Sequence, residues 1–247
     1  MMQVGQESAD WPRRAAIFGA SGGIGRALAK ELAGRGVSVL AASRAGADLS
    51  IAGAEPFAFD LTDEGSIARV AQVMSGDPPD LVIVATGALT LSGGEGPERS
   101  YKHIDAKVMQ RIFAVNTIGP ALVAKHMLAL FKRDRRSVFA VLSARVGSIE
   151  DNRIGGWHSY RASKAALNML VRNFAIELGR THKHAIAVAL HPGTVDTSLS
   201  EPFQANVPDE QLFAPARAAR QLFDVIDGLG TEDSGKHFDW QGKPVPA

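Results

Sequence analysis

The sequence of 247 residues contains no cysteine. Disulfides, thiolate metal sites and thiol nucleophiles are excluded together, and the absence fits a reducing compartment. An excess of one charge is also missing: 27 Lys+Arg against 26 Asp+Glu leave a formal +1. No overall field would draw such a chain to nucleic acid or to an anionic membrane. No apolar run reaches the ~18 residues of a membrane span, and the opening MMQVGQESADW lacks the basic and apolar regions of a secretory signal. The expectation is a cytoplasmic protein with no nucleic-acid partner and no membrane partner. Aromatic residues are sparse at 6%, with 2 tyrosines, so each tyrosine is worth placing.

Apolar residues reach 45% and charged residues 21%, enough for a sizeable core and too apolar for disorder. The length suits one α/β domain over residues 13–247, preceded by a tail at residues 1–12. Ala15–Gly19, Val37–Ala42, Pro56–Phe59, Leu81–Ala85, Val138–Leu142 and Ala185–Leu190 are short runs apolar on both faces, as buried parallel strands are. Between them Ile24–Arg35, Glu64–Met74, Ala106–Phe131 and Ser159–Leu178 carry apolar residues at three- and four-residue spacing. A further helix at Pro215–Leu229 and a strand at Lys236–Trp240 close the chain. This alternation predicts a parallel sheet covered by helices. Ligands of such sheets bind beyond the carboxyl ends of the strands. That places interest in the loops at 89–100, 144–157 and 198–213, the last read as a substrate loop.

The first strand runs into Gly19-Ala20-Ser21-Gly22-Gly23-Ile24-Gly25, which opens a helix. Glycines let the turn take positive φ and let backbone approach a phosphate, and the free N–H groups and dipole of the helix attract its charge. A tight structural turn needs the same residues. Gly19-x-Ser21-x-Gly23 also fits the nucleophile elbow of serine hydrolases, with Asp196 and His237 as nominal partners, although an elbow normally follows several strands. His182-Lys183-His184 has no third ligand at useful spacing, so no metal site is expected.

Tyr160 and Lys164 stand four residues apart at the start of a helix, on one face. An ammonium beside a phenol favours phenolate and would draw its pKa from ~10 toward neutrality, making Tyr160 a proton donor and acceptor. With Gly19–Gly25, Asp60, Asn116, Ser143, Tyr160/Lys164 and Pro192-Gly193 in this order, the chain resembles the short-chain dehydrogenase/reductase superfamily over about residues 13–240. The stretch LSARVGSI…GGWHSYRASKAALN is similar to its sniffer/CsgA-like branch.

The resemblance implies a doubly wound Rossmann-type domain with a seven-stranded sheet in the order 3-2-1-4-5-6-7. It implies Tyr160 as catalytic acid/base, Lys164 as the residue that lowers its pKa and holds the nicotinamide ribose, Ser143 as hydrogen-bond partner of the reacting oxygen, and Asn116 as holder of a relay water. Ser148 is the rival serine, because the 17-residue spacing from Ser143 to Tyr160 exceeds the family's usual one. Asn116 in FAVNTIGP has a second reading, accommodation of a helix irregularity before Pro120. The implied cofactor contacts are Gly19, Ser21, Gly22, Gly23, Ile24, Gly25, Asp60, Leu61, Ala85, Thr86, Gly87, Pro192, Gly193, Val195 and Thr197, with Tyr160 and Lys164. Val84-Ala85-Thr86-Gly87 departs from the family's Asn-Asn-Ala-Gly and loses its amides.

Cofactor choice is legible at the end of the second strand. An NAD-selective site places an acid there; this chain has Ser43-Arg44, a hydroxyl and a forked cation suited to a 2′-phosphate. NADP(H) is therefore expected over NAD(H). The small-molecule partner is a carbonyl compound or alcohol, Arg145 is a candidate contact for it, and a homodimer or homotetramer through the long helices is implied. A different class of function, a cofactor-binding regulatory or signalling protein with weak catalysis, is kept beside the enzyme reading.

Overall fold

A computed structural model describes residues 11–91, 97–205 and 207–247. The elements follow as β1 (Arg14–Phe18), α1 (Gly23–Gly34), β2 (Ser38–Ser43), β3 (Ala54–Ala58), α2 (Glu64–Met74) and β4 (Leu81–Val84). Then come α3 (Ala106–Phe113), α4 (Gly119–Met127), β5 (Ser137–Leu142), α5 (His158–Thr181), β6 (Ala185–His191), β7 (Thr194–Val195), β8 (Leu212–Phe213), α6 (Pro215–Asp227) and β9 (His237–Asp239). Seven strands form one parallel sheet in the order β3-β2-β1-β4-β5-β6-β9, the doubly wound arrangement expected from the sequence. β7 and β8 pair separately, Thr194 beside Leu212 and Val195 beside Phe213, and so pin both ends of the 198–213 loop.

The central strands are apolar on both faces because both faces are covered. Ala15, Ile17, Ile83 and Val188 meet Leu28 and Leu32 of α1 and Leu222 and Ile226 of α6. Phe18, Val82, Phe139 and Val141 meet Ile67 and Met74 of α2, Val123 and Met127 of α4, and Leu167 and Val171 of α5. Each such side chain larger than alanine, once removed from water, contributes roughly 1.5–3 kcal/mol. β3 is the edge strand; it carries exposed Glu55 and Pro56, the composition that sheet edges tolerate.

Two local differences from the sequence reading matter for the site. The expected helix Ala106–Phe131 is interrupted by a π-helical turn, Ala114–Ile118, which contains Asn116. Its continuous span Ala106–Leu130 is long and apolar enough by composition to cross a membrane, yet it packs against α2 and α5 within the domain. At the N-terminus, residues 1–10 of the expected tail lie outside the described residues, whereas Trp11 lies 3.9 Å beneath the Arg136 guanidinium and belongs to the fold.

Candidate active site

The glycine turn joins β1 to α1 beyond the sheet's carboxyl edge. Gly19 adopts φ +93 and a Cβ there would stand 2.9 Å from Thr86 Cγ2, so only glycine fits between the two strand ends. A Cβ on Gly25 would overlap the Gly19 carbonyl, which closes the turn tightly. Gly22 is the N-cap of α1 and supplies no side-chain cap, leaving the first N–H groups of the helix free for an anion. Ser21 makes no contact with the partners of a hydrolase triad: His237 faces Asn168, and Asp196 accepts from Gln204.

A cavity of about 420 Å³ opens from this turn across the sheet edge. It gathers the expected residues Gly19, Ser21, Gly22, Ser43, Arg44, Asp60, Leu61, Ala85, Thr86 and Gly87, and adds Phe59, Thr62, Ala88, Thr90, Leu91 and Val115, which the sequence reading did not select. Asp60 Oδ1 accepts from the N–H and hydroxyl of Thr62 at 2.8 and 2.7 Å. These bonds hold the Asp60 carboxyl below the usual carboxylate range, with a smaller contribution from Arg44. Gly23, Ile24 and Gly25 lie behind the cavity wall; Ile24 packs against Val195 and Phe213, and a Cβ on Gly23 would stand 2.5 Å from Thr197 Cγ2. Gly193, at φ +77, lies against Phe213 and Trp240. Pro192 precedes Gly193, and Val195 and Thr197 support the glycine turn from the side through Ile24 and Gly23.

Two observations fit a phosphorylated dinucleotide here. Ser43 Oγ and Thr86 Oγ1 are buried without a hydrogen-bond partner among the described residues, and both belong to residues that line the cavity. Buried hydroxyls in that state call for a ligand or water. Arg44 is exposed at the same rim, and Arg26, the other nearby cation, donates to the Ser50 carbonyl at 2.9 Å.

Asn116 fastens the floor of the cleft. Its Oδ1 accepts from Ala88 N at 2.8 Å, and its Nδ2 donates to Ala88 O at 2.8 Å and to Ser163 Oγ at 3.1 Å. The helix irregularity and the polar role therefore coexist: the π-helical turn points the amide at the β4 exit. Gly87 then sits over the site, where a Cβ would be 3.6 Å from Lys164 Nζ and 3.7 Å from Asn116 Oδ1.

Tyr160 and Lys164 are both buried on one face of α5, the ammonium 5.8 Å from the phenol ring centre. Lys164 Nζ donates to the Leu142 carbonyl at 2.7 Å. The electrostatics differ from the expectation drawn from spacing alone. Burial pushes the Tyr160 phenol up to about 12 and the Lys164 ammonium down to about 8. Desolvation of each group outweighs their mutual attraction, because the ammonium's hydrogen bond goes to a carbonyl and not to the phenol. At neutral pH Tyr160 is a neutral proton donor beside a cationic lysine.

The Ser143 hydroxyl has a side-chain partner on α5. Its Oγ donates to Asn168 Oδ1 at 2.7 Å, and Asn168 lies two turns, about 12 Å, further along α5 than Tyr160. The residue clustered with Tyr160 is the next one, Ala144, together with Leu89. Ser148 is buried in the turn, donating to Ala247 O at 3.1 Å and accepting from Asp151 N at 3.0 Å.

The entry to α5 is built without a side-chain cap of its own. Its N-cap is Trp157 at φ +51, the one non-glycine residue at positive φ among those described. The cap comes from across the cleft: Glu98 accepts from Ser159 N at 3.1 Å and from Ser159 Oγ, while its carbonyl accepts from Trp157 N. Burial acts to raise the Glu98 pKa, but the bonds from Ser159 hold it below the usual carboxylate range. No local pattern singles this residue out, because it acts through a contact between distant segments.

The family described as short chain dehydrogenase matches residues 13–208. The chain belongs to that family of oxidoreductases. A 1-hydroxy-2-glutathionyl-2-methyl-3-butene dehydrogenase of Rhodococcus sp. (strain AD45) is 33% identical over 226 residues, covering 89% of this chain and 93% of the relative. The C-signal protein of Myxococcus xanthus is 39% identical over 143 residues, 58% of this chain and 81% of that one. Among solved structures, a Burkholderia multivorans chain named as a short-chain dehydrogenase/reductase, with bound NADP, superposes with a TM-score of 0.78 at 25% identity, covering 96% of this chain and 100% of that one. The family's glycine turn and Tyr-x-x-x-Lys pair are the two features that residues 19–25 and 160–164 bring to one edge of the sheet.

Proposed function

We propose that the protein is an NADP(H)-dependent oxidoreductase that moves hydride between nicotinamide and a carbonyl or alcohol carbon, with Tyr160 moving the proton at the oxygen. The observation that carries this reading is the buried Tyr160/Lys164 pair, its ammonium next to Gly87 in the wall of a cleft that begins at a glycine turn beneath an uncapped helix. The glycine turn would hold the pyrophosphate, Ser43 and Arg44 the 2′-phosphate, and Thr86 a further polar group of the cofactor. The cofactor supplies the hydride. Tyr160, protonated at neutral pH, donates to the carbonyl oxygen in the reductive direction, and Lys164 keeps positive charge close to the phenolate that results. The NADP bound to the Burkholderia relative supports the choice of cofactor. Exposed Ile118, Met169 and Ile176 on the two long helical segments support assembly as a homodimer or homotetramer.

The deciding experiment is carbonyl reduction followed by the loss of NADPH absorbance, in the wild type and in Tyr160→Phe. Turnover in the first and its loss in the second is the expected result. A second reading, a cofactor-binding signalling protein with weak catalysis, is favoured by one observation: Ala144 packs with Tyr160, while the Ser143 hydroxyl is bonded to Asn168. Tight NADPH binding without turnover on any carbonyl compound would select it.

A further inference from the structure

The space at Tyr160 is framed by apolar side chains from three separate loops. Leu89 follows β4, Ala144, Val146 and Trp157 follow β5, and Phe203 comes from the loop pinned between β7 and β8; all pack with Tyr160 in one cluster. The aromatic members are in series: the Trp157 ring lies 6.3 Å from Tyr160 at 74°, and Phe203 lies 5.1 Å from Trp157 at 60°. Leu89 and Tyr160 are buried, while Trp157 and Phe203 keep part of their surface accessible.

Several charged residues near this frame have partners of their own. Arg145, the candidate contact from the sequence, places its Nε 2.6 Å from Asp151 Oδ2 with its side chain 51% exposed. Arg161 donates to the Val146 carbonyl at 3.1 Å, and the Glu98 carboxylate is taken by Ser159. A substrate carboxylate placed against these apolar side chains would lose its hydration, and the nearest cations, Lys164 and Arg161, direct donor bonds at the Leu142 and Val146 carbonyls, so the exchange is costly.

Trp157 adds an independent argument. A bulky residue at φ +51 is strained, and such strain persists where the surrounding structure enforces it. Here the enforcing contacts are the bond from Trp157 N to Glu98 O and the flanking positive-φ residues Gly155 and Gly156. Their effect is to hold the indole between Tyr160 and Phe203, where it forms a wall and contributes nothing to capping the helix.

We propose that this frame selects neutral, apolar carbonyl compounds, aromatic aldehydes and ketones above all, and rejects carbonyl compounds that carry a carboxylate. The proposal rests on the reading of Tyr160 as proton donor. In the reductive direction hydride from NADPH forms the new C–H bond, the C=O π bond breaks, and the Tyr160 proton forms the O–H bond; the carbonyl is reduced and the nicotinamide oxidised. With Ala144 beside Tyr160 and Ser143 turned to Asn168, shape and aromatic contact orient the substrate in place of a second hydroxyl.

The test is steady-state kinetics with NADPH on a matched pair, benzaldehyde and 4-carboxybenzaldehyde, in the wild type, Phe203→Ala and Trp157→Phe. The expected result is a kcat/KM at least about thirtyfold higher for the neutral member. Phe203→Ala should raise KM for benzaldehyde about tenfold, a larger factor than its effect on kcat. Trp157→Phe, which keeps an aromatic wall, should retain the neutral preference. Equal kcat/KM for the two members, or preference for the anion, overturns the substrate class while leaving the reductase reading intact. Absence of reduction of either member and of an uncharged aliphatic aldehyde overturns the reductase reading itself, and the substrate class with it.

Discussion

Asn116 and Ala88 exchange two hydrogen bonds of 2.8 Å, side chain to backbone, across the gap between the π-helical turn and the exit of β4. This exchange fixes Gly87 and hence the distance between the cleft and Lys164. Asn116→Ala leaves the Ala88 N–H and C=O without these partners, and each unsatisfied buried group costs roughly 1–3 kcal/mol. Urea unfolding should show a destabilisation of that order, with a rise in KM for NADPH. Unchanged stability and KM would show that the exchange is dispensable.

Removal of the Tyr160 hydroxyl in Tyr160→Phe preserves ring packing and removes the proton donor. The kcat for reduction should fall by about 10²–10⁴ while NADPH affinity stays near that of the wild type. The wild-type profile carries its own signature. Lys164 loses its proton above about 8, so kcat/KM should decline on that alkaline limb, and Lys164→Arg, charged throughout, should move the limb upward. A flat profile to pH 10 would separate Lys164 from the chemistry.

Ser143 and Ala144 give opposite expectations for adjacent residues. Ser143→Ala breaks the bond to Asn168 and should cost about 1 kcal/mol of stability with kcat lowered less than about threefold. Ala144→Ser brings a second donor to the developing oxyanion and should raise kcat by about tenfold or more. Loss of turnover in Ser143→Ala in a protein of normal stability would return the catalytic role to Ser143.

Arg44 decides between cofactors. Wild type should favour NADPH over NADH by at least about tenfold in kcat/KM, roughly 1.4 kcal/mol, and Arg44→Ala should lose most of that preference. Equal efficiency with both cofactors in the wild type is the contrary result.

Burial drives the imidazoles of His191 and His237 down to about 4 and about 3. In the unfolded chain they titrate near ~6.5. Below that pH the unfolded state binds more protons than the folded one, so stability is full above ~6.5 and falls as the solution is acidified toward 4. Each imidazole contributes up to about 1.4 kcal/mol per pH unit over that window. Thermal denaturation between pH 7 and 4.5 should show the decline, and His191→Gln should flatten it; a parallel decline in the variant would assign the acid sensitivity elsewhere.

The strands and the glycine turn were legible because buried parallel strands are apolar throughout, and a phosphate cradle needs glycine at set positions. The serine was not. Side chains on a strand alternate, so a shift of one residue, from Ser143 to Ala144, exchanges the face that meets Asn168 for the one that meets Tyr160. The π-helical turn at Asn116 leaves apolar spacing nearly intact and so hid inside one expected helix. Glu98 was invisible for another reason: its partner Ser159 is 61 residues away, and no local pattern reports a contact at that separation. The Tyr160 proton affinity followed from burial, which spacing along a helix does not measure.

Gly23 and Thr197 come from opposite ends of the chain and touch so closely that a side chain at 23 has no room. A ligand on the glycine turn would act as a staple across that junction, closing a loop that spans most of the polypeptide. Its first beneficiary is the segment after Thr197, whose ends are joined by the two-residue strands β7 and β8. Occupancy of the cleft and resistance of residues 198–213 to proteolysis are thereby linked by mass action, and a protease becomes a reporter of cofactor binding.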